Sequence, residues 1–444
     1  MARVTHPFNS LTPETEGLPS AAQRRLLDSR RLLEAKLPQP GKSWEIDAWA
    51  YATHSLQHGN NFDYSRAFAA AGGAAISPSL PSNDFRDNSS ASAFAFIDLF
   101  AGIGGFHLAL ARAGGQCVFA SEWDASARCT YAFNHGLVPF GDIRAFTRHQ
   151  GSAQGDKEVS KLIPSADVIS AGFPCQPFSQ AGVSSRNFHG IHHGLKCDVQ
   201  GTLFEDILII ARAIKPKVLL LENVSNLARH DGGNTIRTIF EEIESSGYVI
   251  YPKKPSGSDT RWAVIDSASV VGQRRRRVYF VCVRADLVKS HGDFVFPDFS
   301  LPEVPHSLRS VIERDTSMTE IEKLERYSIS RKLWESHLSR QARHVAKSNG
   351  FRIGLMNNLD NPAPTLVARY YKDGKDCLIP NRFDGSAPPR MLTPRECALL
   401  QTYPSDFWLP ESKTPAYKQM GNSITVEIAA RISEAIASQY LRGQ

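Results

Sequence analysis

From Phe94 onward the chain alternates short apolar runs with amphipathic stretches, and this alternation limits its fold more than any other feature. "AFAFIDLF", "QCVFASEW", "ADVISAGF", "KVLLLENV" and "RVYFVCVR" read as strands, while "FHLALARAG", "LFEDILIIARAI" and "TIRTIFEEIESSG" carry helical spacing. A run as continuously apolar as "VLLL" has to be covered on both faces, which is the condition of a parallel sheet with helical crossovers. The expected class is therefore α/β, an open and mainly parallel sheet with helices on both faces. Ligands of such sheets bind at the carboxyl ends of the strands. The chemically distinctive residues of this chain fall at those ends.

Flanking sequence divides the chain. Residues 1–93 contain two helical patterns, "SAAQRRLLDSRRLLEAKL" and "WEIDAWAYATHSL". They end in a Gly/Ala/Ser/Pro-rich linker, and nine basic residues balance nine acidic ones. Residues 94–284 carry the alternation. Residues 285–390 are polar and loop-rich with interleaved aromatic and basic residues; between 301 and 390, 15 Lys and Arg stand against 11 Asp and Glu. Residues 391–444 return to an amphipathic helix, "TVEIAARISEAIASQYL". A net charge of +6 permits a polyanionic partner without requiring one. The seven cysteines are scattered and never spaced C-x-x-C, which argues against a disulfide scaffold and a structural zinc site. The N-terminus lacks the apolar core of a secretory signal, and no run reaches the roughly 18 residues that span a bilayer. The expectation is a cytoplasmic protein with no membrane partner.

"FIDLFAGIGG" runs from a strand through glycines into a helix. Gly102, Gly104 and Gly105 admit a ligand close to the backbone, and the helix start offers free N–H groups. Glu122 lies twenty positions after Gly102 at the next strand end, where an acid suits the two hydroxyls of a ribose. This spacing fits a nicotinamide cofactor as well as S-adenosyl-L-methionine, although the loop is not G-x-G-x-x-G. Asp142, in "GDIR", adds an acid that can accept from an adenine amino group.

Cys175 sits between two prolines in "AGFPCQPFSQAG", directly after a strand. That setting is superfluous for a core cysteine and apt for a nucleophile, which needs a lowered pKa or a positive neighbour. Glu222, after the apolar strand of "LLLENV", is placed for desolvation to keep it protonated, and "QRRRRVY" supplies guanidinium groups. A thiolate, a protonated carboxyl and a fixed arginine suit addition to a polarised double bond.

Together these stretches resemble the DNA (cytosine-5) methyltransferase family of the bacterial restriction–modification type. The motifs lie in residues 96–284 and 390–432, in the family's order: "FIDLFAGIGG", "GFPCQPFS", "ENV", "QRRRRVY", "RECALLQTYP" and "QMGNSITVEIAARI". The resemblance implies an S-adenosyl-L-methionine-dependent, Rossmann-like enzyme that methylates carbon 5 of cytosine in double-stranded DNA. Cys175 would attack carbon 6 of a flipped-out base, Glu222 would engage N3 and the exocyclic amine, and Arg275 and Arg277 match the family's Q-x-R-x-R pattern. Phe100, Glu122, Trp123, Asp142 and Ile143 would line the cofactor site with the glycine loop. Pro174 would hold the cysteine's backbone, and Asn422 and Ser423 would close the site. Residues 285–390 would recognise the target, with Thr365 and Leu366 at their core. Gln176, Ser179, Thr365, Leu366, Arg369, Tyr371 and Lys372, with Tyr370 and Lys375 beside them, are the candidate DNA contacts. The family's usual partner is a restriction endonuclease that shares the site without being bound. Its usual state is monomeric, and its usual place is on the nucleoid DNA of a bacterium.

The chain departs from the family pattern in places. It has Gly272-Gln273 where Pro-Gln is common, and a long loop from Gly182 to Gly201 with Gln200 where arginine is common. His189, His192, His193 and Cys197 in that loop resemble metal ligands, but loop polarity is the preferred reading and no metal is expected. The nearest rival is the tRNA-methylating branch of the family, against which "PCQPFSQAG" and a recognition domain of this size both count. A DNA-binding regulator built on residues 1–93 is disfavoured by their neutral charge.

Overall fold

The computed structural model describes residues 92–147, 159–174, 202–253, 262–347, 353–381 and 387–442, with residues 202 and 373 described by their backbone alone. Residues 1–91 lie outside the described residues, as do Cys175, Gln176, Ser179, His189, His192, His193, Cys197 and Gln200.

The strands are β1 (Phe94–Leu99), β2 (Gly115–Ser121), β3 (Val168–Gly172), β4 (Val218–Val224), β5 (Tyr248–Tyr251), β6 (Ala263–Asp266) and β7 (Arg276–Arg284). They form one sheet in the order β2-β1-β3-β4-β7-β5, with β6 pairing β7. The pairs β1/β2, β1/β3 and β3/β4 are parallel, whereas β4/β7 and β5/β7 are antiparallel. The expected α/β class and mainly parallel sheet are what the chain adopts. Its apolar central strands explain this: Val218 to Leu221 are all fully buried. Each such side chain contributes about 1.5–3 kcal/mol relative to exposure.

The helices are α1 (Gly105–Arg112), α2 (Ala125–His135), α3 (Arg144–Thr147), α4 (Thr202–Ile214), α5 (Asn234–Ser245), α6 (Ala285–His291), α7 (Leu308–Arg314), α8 (Glu320–Tyr327), α9 (Arg331–Ala346), α10 (Tyr370–Asp373), α11 (Pro394–Leu400), α12 (Lys413–Asn422) and α13 (Val426–Ile436). Local chemistry sets several of their ends. Asp124 caps α2 by accepting from the N–H groups of Ser126 and Ala127, and Gly136 ends that helix at φ 69°. Thr393 and Glu396 form a reciprocal capping box on α11, with Pro394 at its first turn. Among the described residues no helix is long and apolar enough to cross a membrane.

The chain divides into two compact units. The first takes described residues up to Val264 with 277–297 and the chain from Ala429; the second takes 265–276 and 298–428. The core of the first unit joins Ile97, Leu99, Phe119, Ile169, Leu219 and Phe280 of the sheet to Phe204, Ile207, Ile239 and Phe240 of α4 and α5. The second unit holds residues 298–390 of the polar, loop-rich region together with sequence from both sides of it, while residues 285–297 go with the first. Its interior holds charge as well as hydrocarbon. Arg390 pairs with Glu396 through two hydrogen bonds, of 2.8 and 2.9 Å, and Lys323 lies 3.5 Å from Glu396 and 3.7 Å from Asp315. Buried charges are tolerated only when paired in this way.

Candidate active site

β1 delivers the chain into a loop that leaves strand geometry at once: Phe100, Gly102 and Gly104 have φ of 53°, 55° and 87°. Gly102 N–H donates to Glu122 Oε2 at 2.8 Å, and Asp124 N–H donates to Glu122 Oε1 at 2.7 Å. Glu122 thus braces the loop from the end of β2, and each carboxylate oxygen retains capacity to accept a further bond. Burial raises its pKa, and the two backbone donors oppose that shift.

The glycines of the loop do different things. Among the described residues a Cβ at Gly102 would meet nothing within 4 Å, which leaves space beside it, whereas at Gly104 it would collide with the ring of His135. Gly105 is buried as the first residue of α1. His135 stands at the end of α2, its Nε2 donating to the Ile103 carbonyl at 3.1 Å and its ring stacked on His107 at 4.2 Å. His107 Nδ1 is 2.7 Å from the Tyr131 hydroxyl. Burial lowers the pKa of both imidazoles, that of His135 to about 4. No motif marks His135, because a lone histidine at a helix end carries no pattern.

Trp123 is 67% exposed, and the Arg144 guanidinium carbon lies 5.1 Å from the centre of its ring. Arg144 also grips Asp142 with two prongs, Nη2 to Oδ2 at 2.7 Å and Nε to Oδ1 at 3.0 Å. Asp142, expected to accept from an adenine amine, is therefore already oriented by an arginine two positions on. Ile143 between them is buried. Phe100 packs against the core.

At the next strand ends, Gly172 of β3 stands opposite Glu222 of β4, and a Cβ there would lie 3.6 Å from Glu222 Oε2. Asn223 Nδ2 donates to the Phe173 carbonyl at 3.1 Å, which ties β4 to the chain just before Pro174. Pro174 is half-buried and is the last described residue before Cys175. Glu222 is 7% exposed, and its Oε1 pairs with Arg277 Nε at 3.1 Å. Antiparallel pairing of β4 with β7 sets this contact by placing Arg277 opposite Val224, two residues beyond Glu222.

Arg275, read in the sequence beside Arg277, has another setting. It belongs to the second unit, where it is 2% exposed and donates to the carbonyls of Leu366 at 2.8 Å, Gly421 at 3.0 Å and Ser423 at 2.6 Å. Its neighbour Gln273 accepts from Leu366 N–H at 3.0 Å and donates to the Leu400 carbonyl at 3.1 Å. Thr365 Oγ1 donates to the Arg274 carbonyl at 2.7 Å, and Leu366 is buried. Thr365 and Leu366 are thus held against the Gln-Arg segment. Arg369 and Lys372 are exposed and Tyr371 is half-buried, whereas Tyr370 is buried with its hydroxyl bonded to Cys377 and Leu392. Ser423 shares a hydrogen bond with Tyr403, and Asn422 is exposed at the end of α12. Among the described residues no cluster of His, Cys, Asp and Glu side chains could hold a metal ion.

Residues 94–438 match the family model for C-5 cytosine-specific DNA methylases. The chain is 38% identical over 374 residues to a DNA-cytosine methyltransferase of Escherichia coli K12, covering 78% of this chain and 77% of that protein. It is 36% identical over 346 residues to the Type II methyltransferase M.SsoII of Shigella sonnei, covering 78% and 80%. The solved structure of the S. pombe Dnmt2 methyltransferase has the same fold at a TM-score of 0.52 and 17% identity, covering 78% of this chain and 98% of that one. The chain belongs to the C-5 cytosine-specific DNA methylase family, enzymes whose methyl donor is S-adenosyl-L-methionine.

Proposed function

We propose that this enzyme methylates cytosine within one short site of double-stranded DNA through a covalent adduct at Cys175, as the modification enzyme of a restriction–modification system. The Type II names of its relatives support the last part of this reading, in which a cognate endonuclease shares the site without binding the enzyme. The observation that carries the mechanism is the Glu222–Arg277 pair, held at the end of β4 beside Gly172, three residues before Cys175. S-adenosyl-L-methionine supplies an electrophilic methyl group on a sulfonium centre. The space at Gly102 and the remaining acceptor capacity of Glu122 fit the close approach and the ribose hydroxyls of that molecule.

In this reading the Cys175 thiolate adds to carbon 6 of the flipped base. Glu222 holds the proton at N3, so the electron pair displaced from the double bond is stabilised and carbon 5 becomes nucleophilic. Arg277 fixes the Glu222 carboxyl and places positive charge beside it. After carbon 5 takes the methyl group, loss of its proton re-forms the double bond and expels the Cys175 thiolate. Phe100, Trp123, Asp142 and Ile143 would hold the adenosine portion, and Arg144 sets the orientation of Asp142.

Covalent trapping tests the reading. Wild type incubated with S-adenosyl-L-methionine and duplex DNA containing 5-fluorocytosine should give a denaturation-resistant adduct, since fluorine cannot leave as a proton does; Cys175→Ser should give none. An adduct with the equivalent RNA alone would move the enzyme to the RNA-methylating branch. Methylation of DNA by Cys175→Ser at the wild-type rate would sink the covalent mechanism.

A further inference from the structure

α9 is attached to its unit along one narrow stripe. Of residues 331–347 only Trp334, His337, Gln341 and His344 are not exposed, and their spacing of three, four and three places them on one side of the helix. At about 100° per residue, the side turned away from that stripe carries Lys332, Ser336, Ser339 and Arg343, with Lys347 at its edge. These residues form a row about 22 Å long at about 1.5 Å per residue. The single acid of the helix, Glu335, lies on the same side, one turn from Lys332, so the row is net positive with one acid at its flank. Between Arg326 and Lys347 six basic residues stand against one acidic residue, which is most of the excess of a chain whose net charge is +6.

We infer that the outward row of α9 tracks the phosphate backbone of duplex DNA. The inference rests on the DNA substrate of the proposed function and adds a surface that the motifs of this chain do not mark. A duplex presents one negative charge per roughly 1.7 Å of its axis, so a straight basic row of this length faces several phosphates in succession. Lysine, arginine and serine are side chains that donate to phosphate oxygens. Because the bases take no part, the row supplies affinity and register and leaves site choice to other residues.

Binding to a fluorescent duplex carrying the site that the enzyme methylates, followed over about 50 to 200 mM salt, tests the inference. The full-length variant Lys332→Gln/Arg343→Gln/Lys347→Gln should lower the slope of log Kd against log salt by roughly 2.7, at roughly 0.9 for each phosphate that is no longer neutralised. Ser336→Lys, which adds a charge within the row, should raise the slope by roughly 0.9. The triple variant should also raise KM for DNA far more than it changes kcat. Its preference for cognate over mismatched sites should be unaltered, and so should its affinity for S-adenosyl-L-methionine. Unchanged slopes in both variants, with wild type methylating DNA normally, would overturn the inference alone. A wild type that binds no duplex DNA would overturn the functional reading and this inference with it.

Discussion

Gly102 and Gly104 stand two residues apart in one motif and read alike, but their surroundings give them opposite reasons to be glycine. Gly104 is held by packing against His135, and Gly102 by the space beside it. Gly104→Ala should cost more than about 2 kcal/mol of stability, since a left-handed backbone is compounded by a collision with a buried ring. Gly102→Ala should cost only the backbone strain, about 1–2 kcal/mol. It should also weaken S-adenosyl-L-methionine binding by about tenfold or more, equivalent to about 1.4 kcal/mol. Thermal unfolding and calorimetric titration separate the two effects; equal losses of cofactor affinity per unit of stability would contradict this division of labour. Glu222 and Arg277 are legible in the sequence as separate helpers, one acid and one cation far apart in the chain. Their pairing is not, because it depends on β7 running antiparallel to β4. Arg277→Gln should lower kcat by on the order of 100-fold with cofactor affinity retained, as measured by single-turnover methylation.

The strands legible in the sequence are long and apolar. β5 and β6 are not, having four residues each, too few for periodicity to separate from a helix end or a loop. Segment 272–275 shows what lies beyond periodicity. A Cβ at Gly272 would collide with the Ser307 carbonyl, so the departure from Pro-Gln at this point meets a close backbone approach. Gln273, Arg274 and Arg275 then bind the carbonyls and amides of distant segments. In α11, Glu396 both completes the capping box and neutralises Arg390 and Lys323. Glu396→Ala should destabilise the protein by more than about 3 kcal/mol, because two buried cations are left without this partner. Thr393→Ala, which removes the cap and the hydrogen bond that the Thr393 hydroxyl donates to buried Asp315 at 2.8 Å, should cost about 2 kcal/mol. Chemical denaturation checks both, and a smaller effect for Glu396→Ala than for Thr393→Ala would refute the assignment.

The pH dependence of the whole molecule combines groups that oppose one another. Burial raises the Asp206 pKa from 3.8 to about 6; Asp142 and Glu205 push the same way, while Thr147 and Arg144 oppose. A carboxyl raised in this manner contributes stability that is fully present below its unfolded value and is lost as pH rises toward the folded one. His135, lowered by burial to about 4, has the reverse sign: its contribution is present above the unfolded value of about 6.5 and is lost as pH falls toward about 4. Asp206→Asn, which still accepts from Thr147, should therefore raise the melting temperature at about pH 8 and do so progressively less as pH falls toward about 4. The gain at about pH 8 should be at most about 3 kcal/mol, from a shift of about two units. A larger gain in acid than in base would reverse the sign and refute the account.

The class of sheet, the cofactor loop and the acid, cysteine and arginine motifs are readable from the chain alone, because apolar runs and strand-end residues are local properties. Tertiary structure decided which members of those motifs meet. It placed Arg277 on Glu222 and gave Arg275 to three carbonyls of the second unit. It also set His135 beneath the glycine loop and turned the basic row of α9 outward. Those outcomes depend on strand direction, register and which face of a helix is covered, and residues far apart in the chain set them.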